Sequence, residues 1–215
     1  MAQAGAEEER GISRWRTCAA EADGVVFDFG GVISVPLVKE RDLYPYCAGK
    51  GLSRAAMDAG WKNYRLLWDG GFITFDEMYR RIFVDAGLPP PDAATMADLW
   101  EIDAIGWIRE LRTDTLELMR RLKDDGKRIG ILSNMSPDFF ERLYVPRAAD
   151  YRALADAEVI SGLVNLCKPE RPIYDLMARR MGISPARLLF LDDTLSNVEA
   201  ARRFGWQSEQ YTRSP

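Results

Sequence analysis

Three short apolar runs, each ending in small or anionic residues, set the frame of this chain. Gly24-Val25-Val26-Phe27 leads into Asp28-Phe29-Gly30-Gly31-Val32, Arg128-Ile129-Gly130-Ile131-Leu132 leads into Ser133-Asn134, and Leu188-Leu189-Phe190-Leu191 leads into Asp192-Asp193. Runs this short, rich in β-branched residues and closed by turn formers, predict buried strands at about 24–29, 128–132 and 188–191. Weaker strand signals lie near 159–161 and 206–211. Stripes of helical period separate these runs, as parallel strands require.

Between about 40 and 112 the pattern is helical, with no clear strand signal. Ser53 is placed to cap a helix carrying Met57, Trp61, Tyr64 and Trp68, which Gly70-Gly71 ends. Thr74-Phe75-Asp76-Glu77 reads as a capping box in which hydroxyl and carboxylate serve each other's backbone amides. Pro89-Pro90-Pro91-Asp92 then breaks the chain before a helix reaching Trp100, and an amphipathic stretch holds Ile105, Ile108 and Leu111. Aromatics at helical spacing pack more often than they bind, so the tryptophans here are read as core. Thr113-Asp114-Thr115 and Ser136-Pro137-Asp138 open further helices, and Asn197 to Phe204 reads as another. The expected fold is α/β, a doubly wound, Rossmann-like parallel sheet formed by residues 23–39 and 113–215. A helical domain at 40–112 is inserted into it, and an aperiodic, charged extension at 1–22 is expected to be solvated or loosely docked.

Composition mostly excludes. The 215 residues suit one domain with a large insertion, and 47% apolar residues can build a sizeable core. A formal net charge of −4 gives no reason to expect nucleic acid or an anionic membrane as a partner. No apolar run approaches the ~18 residues of a membrane span, and the charged start is no signal peptide, so a cytoplasmic location is expected. Cys18, Cys47 and Cys167 lack metal-binding spacing. The absence of histidine excludes histidine-based triads and proton shuttles, so any acid-base or metal chemistry rests on carboxylates, Lys, Tyr or Cys.

In parallel α/β sheets ligands sit at the carboxyl ends of the strands, so Asp28, Ser133 and the Asp192-Asp193 pair should meet in one crevice. Converging carboxylates without histidine make a hard-oxygen site suited to Mg²⁺, which binds a few carboxylates together with phosphate oxygens. One carboxylate could attack phosphorus to give an aspartyl-phosphate. Ser133 and the amides around Asn134 could donate to phosphoryl oxygens, and Lys168 could balance negative charge.

The ordered set Asp28-Phe29-Gly30-Gly31-Val32, Ser133-Asn134, Lys168-Pro169 and Leu191-Asp192-Asp193-Thr194-Leu195-Ser196-Asn197 resembles the four motifs of the haloacid dehalogenase-like (HAD) hydrolases. The resemblance covers about residues 24–211, and the helical stretch stands where many members carry a cap domain. It implies a Mg²⁺-dependent phosphatase acting on a small phosphorylated metabolite. Asp28 is then nucleophile and metal ligand, with the Gly30 carbonyl, Asp193 and Asp192 as further ligands and Asn197 in the outer shell. Ser133, Asn134 and Lys168 hold the phosphoryl group, and Lys168 also orients Asp28. Nothing in the pattern sets an oligomeric state.

One position departs from the resemblance. Phosphatases of this kind usually carry a second aspartate two residues after the nucleophile, as general acid and then base, and here that residue is Gly30. A missing acid forfeits about 10²- to 10⁴-fold in rate. The expected substrate is therefore one whose leaving group needs little protonation, such as a sugar 1-phosphate, an acyl phosphate or an aryl phosphate. Two alternatives share the motifs: a 2-haloacid dehalogenase, for which Asp192-Asp193 would be superfluous and repulsive, and a catalytically impaired domain with a binding or regulatory role.

Overall fold

Val25, Val26 and Phe27 have no exposed surface, a burial that only the middle of a sheet covered on both faces provides. In the computed structural model, which describes residues 11–211, they form the central strand β1 (Gly24–Phe27). The other strands are β2 (Arg128–Ser133), β3 (Ala157–Ile160), β4 (Leu188–Asp192) and β5 (Gln207–Gln210). Their order is β3-β2-β1-β4-β5, with every neighbouring pair parallel. All five lie within about two residues of the positions the apolar runs predict.

Successive strand residues point to opposite faces, so each strand feeds two cores. Val26, Leu132, Leu188 and Phe190 join one core with Tyr174 and Met177 of α7 (Arg171–Met181) and Ala200 and Ala201 of α8 (Leu195–Arg203). Val25, Phe27, Ile131, Leu189 and Leu191 join the other, with Leu116, Met119 and Leu122 of α6 (Thr113–Asp124). That second core continues into residues 11–22 and into the inserted helices.

The expected solvated extension is, in its described part, a packed element. Residues 11–18 form a helix, α1, with Ile12 and Trp15 buried and the Trp15 ring stacked 5.2 Å from Tyr211. Only Ile12 and Trp15 are buried within this helix, about one residue per turn, too few to show as a period among so many charges. Residues 1–10 lie outside the described part.

The insertion holds α2 (Leu43–Gly49), α3 (Arg54–Asp69), α4 (Phe75–Asp85) and α5 (Ala93–Leu99), followed by a wider helical turn at Trp100–Ala104. Ser53, Thr74 and Asp92 cap α3, α4 and α5 through the amides of Ala56, Glu77 and Thr95. The reciprocal half of the capping box is absent, because Glu77 instead accepts from Arg81 Nε at 2.7 Å. Thr115, expected near a helix cap, donates its hydroxyl to the Val32 carbonyl at 2.7 Å and so ties α6 to the loop after β1. Among the described residues no helix is long and apolar enough to cross a membrane.

If residues 11–22 are part of the core, Trp15→Ala removes a buried indole and its stacking partner. Chemical denaturation should then show a loss of about 3 kcal/mol; a change below about 0.5 kcal/mol would mean that the segment is only draped on the surface.

Candidate active site

The β1 ladder carries one residue past Phe27, since Asp28 N still donates to Leu191 O at 2.9 Å, and the chain then turns away from the sheet. That delivers the Asp28 carboxylate to the sheet's carboxyl edge, where Oδ1 accepts the Phe29 amide at 2.7 Å. The turn needs glycine at position 31 for two reasons. Its φ is +76°, and a Cβ there would stand 2.0 Å from Asp193 Oδ2.

Asn134 reaches across from the end of β2 to fix the loop before α7. Lys168 N donates to Asn134 Oδ1 at 2.8 Å, and Asn134 Nδ2 donates to the Lys168 carbonyl at 2.9 Å. The side chain of Lys168, 2% exposed, then lies between two carboxylates, with Nζ 2.8 Å from Asp28 Oδ1 and 2.7 Å from Asp192 Oδ2. Asp192 also accepts from Thr194 N at 2.8 Å and from Asn197 Nδ2 at 3.1 Å, so its oxygens are held from behind. Asp193 is turned the other way, toward Gly31, and lines the same cavity as Asp28, Gly30, Ser133, Lys168 and Asn197. All the residues singled out in the sequence except Asp192 border that cavity, and Asp192 stands directly behind it. Asn134 is present in another capacity than expected, because its carboxamide engages the backbone of Lys168.

Oxygens of Asp28, Asp192 and Asp193 lie within 4.8 Å of one another. Three carboxylates facing one ammonium leave two negative charges uncompensated in a buried place. Burial pushes the Asp28 carboxyl up to about 8, Asp192 and Asp193 add to the rise, and Lys168 opposes it. Asp193 is raised in the same way, by burial and then by Asp192. Burial pulls the Lys168 ammonium down, but Asp192 and Asp28 outweigh it and leave its pKa above the ordinary lysine value. A divalent ion fits this donor set, supplying the missing charge to hard oxygen ligands that lie close together.

The cavity, about 380 Å³, is closed from the other side by the insertion through Trp61, Arg65, Leu66, Trp68, Asp69 and Trp107. The Trp107 ring stands 3.5 Å from where a Cβ at position 30 would lie. Arg65 is stacked among three indoles, its guanidinium carbon 4.6 Å from the Trp68 centroid, 4.8 Å from Trp61 and 5.5 Å from Trp107. Its charge is matched by Asp69 at 3.1 Å and by the fully buried Asp103 at 3.6 Å. The reading of these aromatics as core holds for Trp100 and for the buried Trp68, both packed on Phe75, although Trp68 also borders the cavity; Trp61 and Trp107 are only partly buried and wall the cavity. Helical spacing cannot tell a face that meets a neighbouring domain across a cavity from one that meets a core. Arg65 and Asp69 went unnoticed for the same reason, being ordinary charged residues on an amphipathic helix.

Comparison with known proteins agrees with this architecture. The family model of haloacid dehalogenase-like hydrolases matches residues 22–205. A sesquiterpene phosphatase from Aspergillus oryzae is 28% identical over 184 residues, covering 84% of this chain and 85% of the relative. An (S)-2-haloacid dehalogenase from Pseudomonas fluorescens is 30% identical over 93 residues, 43% of this chain and 40% of its own. A HAD family enzyme from Bacteroides thetaiotaomicron, solved as a magnesium complex, superposes with a TM-score of 0.68 at 20% identity, over 89% of this chain and 93% of the other. The same enzyme with magnesium and inorganic phosphate gives a TM-score of 0.60.

The raised pKa of Asp28 has a definite sign for stability. The folded metal-free protein holds this proton to about pH 8, whereas the unfolded chain releases it near 3.8, so the contribution is complete below that value and is lost as pH climbs toward 8. Asp193→Asn removes one of the crowded charges. In EDTA its melting temperature should exceed that of the wild type, by more at about pH 8 than at about pH 5; a variant less stable at both pH values would contradict the crowding.

Proposed function

Because this chain belongs to the haloacid dehalogenase-like hydrolases, we propose that it is a Mg²⁺-dependent phosphohydrolase acting on a small phosphorylated metabolite through an aspartyl-phosphate. The observation that carries the reading is the buried triad of carboxylates served by a single lysine. Asp28, the Gly30 carbonyl and Asp193 would hold the ion. Asp192 backs it, its oxygens already taken by Lys168, Asn197 and Thr194. The bound ion supplies the charge that lets a phosphate dianion approach these carboxylates.

This chain's own residues do the rest. Asp28 Oδ1 is held by Lys168 and by the Phe29 amide, which leaves Oδ2 to attack phosphorus. Lys168 fixes that orientation and balances charge as it moves onto the phosphoryl oxygens, to which the Ser133 hydroxyl donates. Helices 40–112 serve as the cap, keeping bulk solvent out of the cavity while leaving room for the hydrolytic water, and setting what binds beside the phosphoryl group.

The cap wall selects an apolar alcohol over a sugar. Trp61, Trp68, Trp107 and Leu66 face the cavity, and the one cation among them, Arg65, is already neutralised by Asp69 and Asp103. Such a wall has few groups to pair with sugar hydroxyls, which would lose their water without replacement. The relative that acts on a sesquiterpene phosphate is in accord with this, and it aligns over most of the chain. The dehalogenase relatives align over less than half, and a 2-haloacid would bring a carboxylate into a site already carrying surplus negative charge.

Phosphate release from a prenyl monophosphate should require Mg²⁺, stop with EDTA, and fall by at least about a thousandfold in Asp28→Asn. Its kcat/KM should exceed that for hexose phosphates by about tenfold or more. Halide release from 2-haloacids without metal, or a preference for sugar phosphates, would overturn the assignment.

A further inference from the structure

The phosphohydrolase reading leaves one role unfilled, because Gly30 cannot protonate a departing alkoxide. The acidic and basic side chains that line the cavity are Asp28, Arg65, Asp69, Lys168 and Asp193. Asp28 is the nucleophile, and Asp193 is engaged with the metal. Lys168 is locked between Asp28 and Asp192. Arg65 keeps its proton at any working pH. Asp69 remains.

Resting on that reading, we propose that Asp69, the last residue of α3, is the proton donor and acceptor of the reaction, supplied by the inserted helices in place of the aspartate missing at position 30.

Its backbone is pinned to the core beside the phosphoryl site rather than left on a mobile cap. Ser161 Oγ donates to the Asp69 carbonyl at 2.6 Å and accepts the amide of Met135, next after Ser133-Asn134, at 2.8 Å. Asn165 Nδ2 donates to the Gly70 carbonyl at 3.0 Å, and Trp68 Nε1 donates to Asp138 at 3.0 Å. Gly71, with φ +76°, lets the chain pass where a Cβ would meet the Gly162 carbonyl at 2.7 Å. The carboxylate itself is oriented by Arg65 Nε, 3.1 Å and 3.2 Å from its two oxygens.

The charges facing it suit a group that must hold a proton and then take one back. Burial raises Asp69, Arg65 on its own helix opposes, Asp103 from the turn after α5 adds to the rise, and Lys168 from the loop before α7 lowers it. The result is a carboxyl near pH 6, with Cys167 in the same loop pushed up to about 11 and therefore neutral beside it. Arg65 is shared with Asp103, which also takes the Tyr79 hydroxyl at 2.7 Å, so Asp69 has less than a full counter-charge.

In the first half-reaction Asp28 attacks phosphorus and the bond from phosphorus to the alcohol oxygen breaks. That oxygen keeps the electron pair and takes the proton of Asp69. In the second, water attacks the phosphoaspartate and gives its proton to the Asp69 carboxylate. The bond to Asp28 breaks, inorganic phosphate leaves, and both side chains return to their starting states. A donor at Asp69 removes the need for an activated leaving group, so simple alkyl esters become substrates.

The test compares hexyl phosphate with 2,4-dinitrophenyl phosphate, whose leaving group needs no proton, using the full chain with Mg²⁺. In Asp69→Asn, kcat/KM, which reports the first half-reaction, should fall about a hundredfold or more for the hexyl ester and stay within about threefold for the dinitrophenyl ester. Equal losses on both esters, or none on either, would overturn the proposal, the first by making Asp69 a structural residue. The wild-type pH profile reads the same donor without a variant: kcat/KM for the hexyl ester should decline above about pH 6 relative to the dinitrophenyl ester, and parallel profiles would refute it. A wild-type enzyme idle on both esters overturns the phosphohydrolase reading, and this one with it.

Discussion

One buried ammonium holds the carboxyl edge of the sheet together. Lys168 lies between Asp28 and Asp192, which arrive at the tips of neighbouring strands. Parallel register brings those tips level, and without a cation between them their carboxylates would face each other in a place that water scarcely reaches. The lysine is in turn set by Asn134, whose carboxamide closes a double hydrogen bond on its backbone. The ends of three strands therefore meet at a single residue, and the placement of the Asp28 carboxylate follows from it.

The division of labour between sheet and insertion is also electrostatic. The sheet gathers carboxylates in excess of its one lysine, and that surplus invites a divalent ion. The insertion does the reverse, embedding Arg65 in indole faces and matching it with Asp69 and Asp103, so that its wall is apolar and close to neutral. The one cavity thus has an acidic floor on the sheet side and a largely apolar wall on the insertion side. Trp107, standing over Gly30, belongs to this arrangement, since a larger residue at position 30 would press against it.

Much of this was legible in the chain itself, for a physical reason. A fully buried parallel strand must be apolar throughout and must end abruptly, so Val25-Val26-Phe27-Asp28 and Leu189-Phe190-Leu191-Asp192 announce both the sheet and its acidic edge. Residues whose role depends on a distant partner were not legible. Trp15 packs on Tyr211 from the opposite end of the chain. Thr115 gives its hydroxyl to Val32 instead of its own helix. Asp69 resembles any solvent-facing helix acid until the Gly70-Gly71 turn is seen to press it against the short helix at Ser161–Val164 that follows β3. Periodicity reports that a face is covered and is silent on what covers it.

The central claim is that Asp28 is the nucleophile of a site completed by a divalent ion. A crystal structure grown with Mg²⁺ and beryllium fluoride tests it most directly. The account predicts a trifluoroberyllate bonded to Asp28 Oδ2, with the cation bound by Asp28, the Gly30 carbonyl and Asp193, and Lys168 still between Asp28 and Asp192. An unmodified Asp28, or a cation seated away from Asp193, would contradict it.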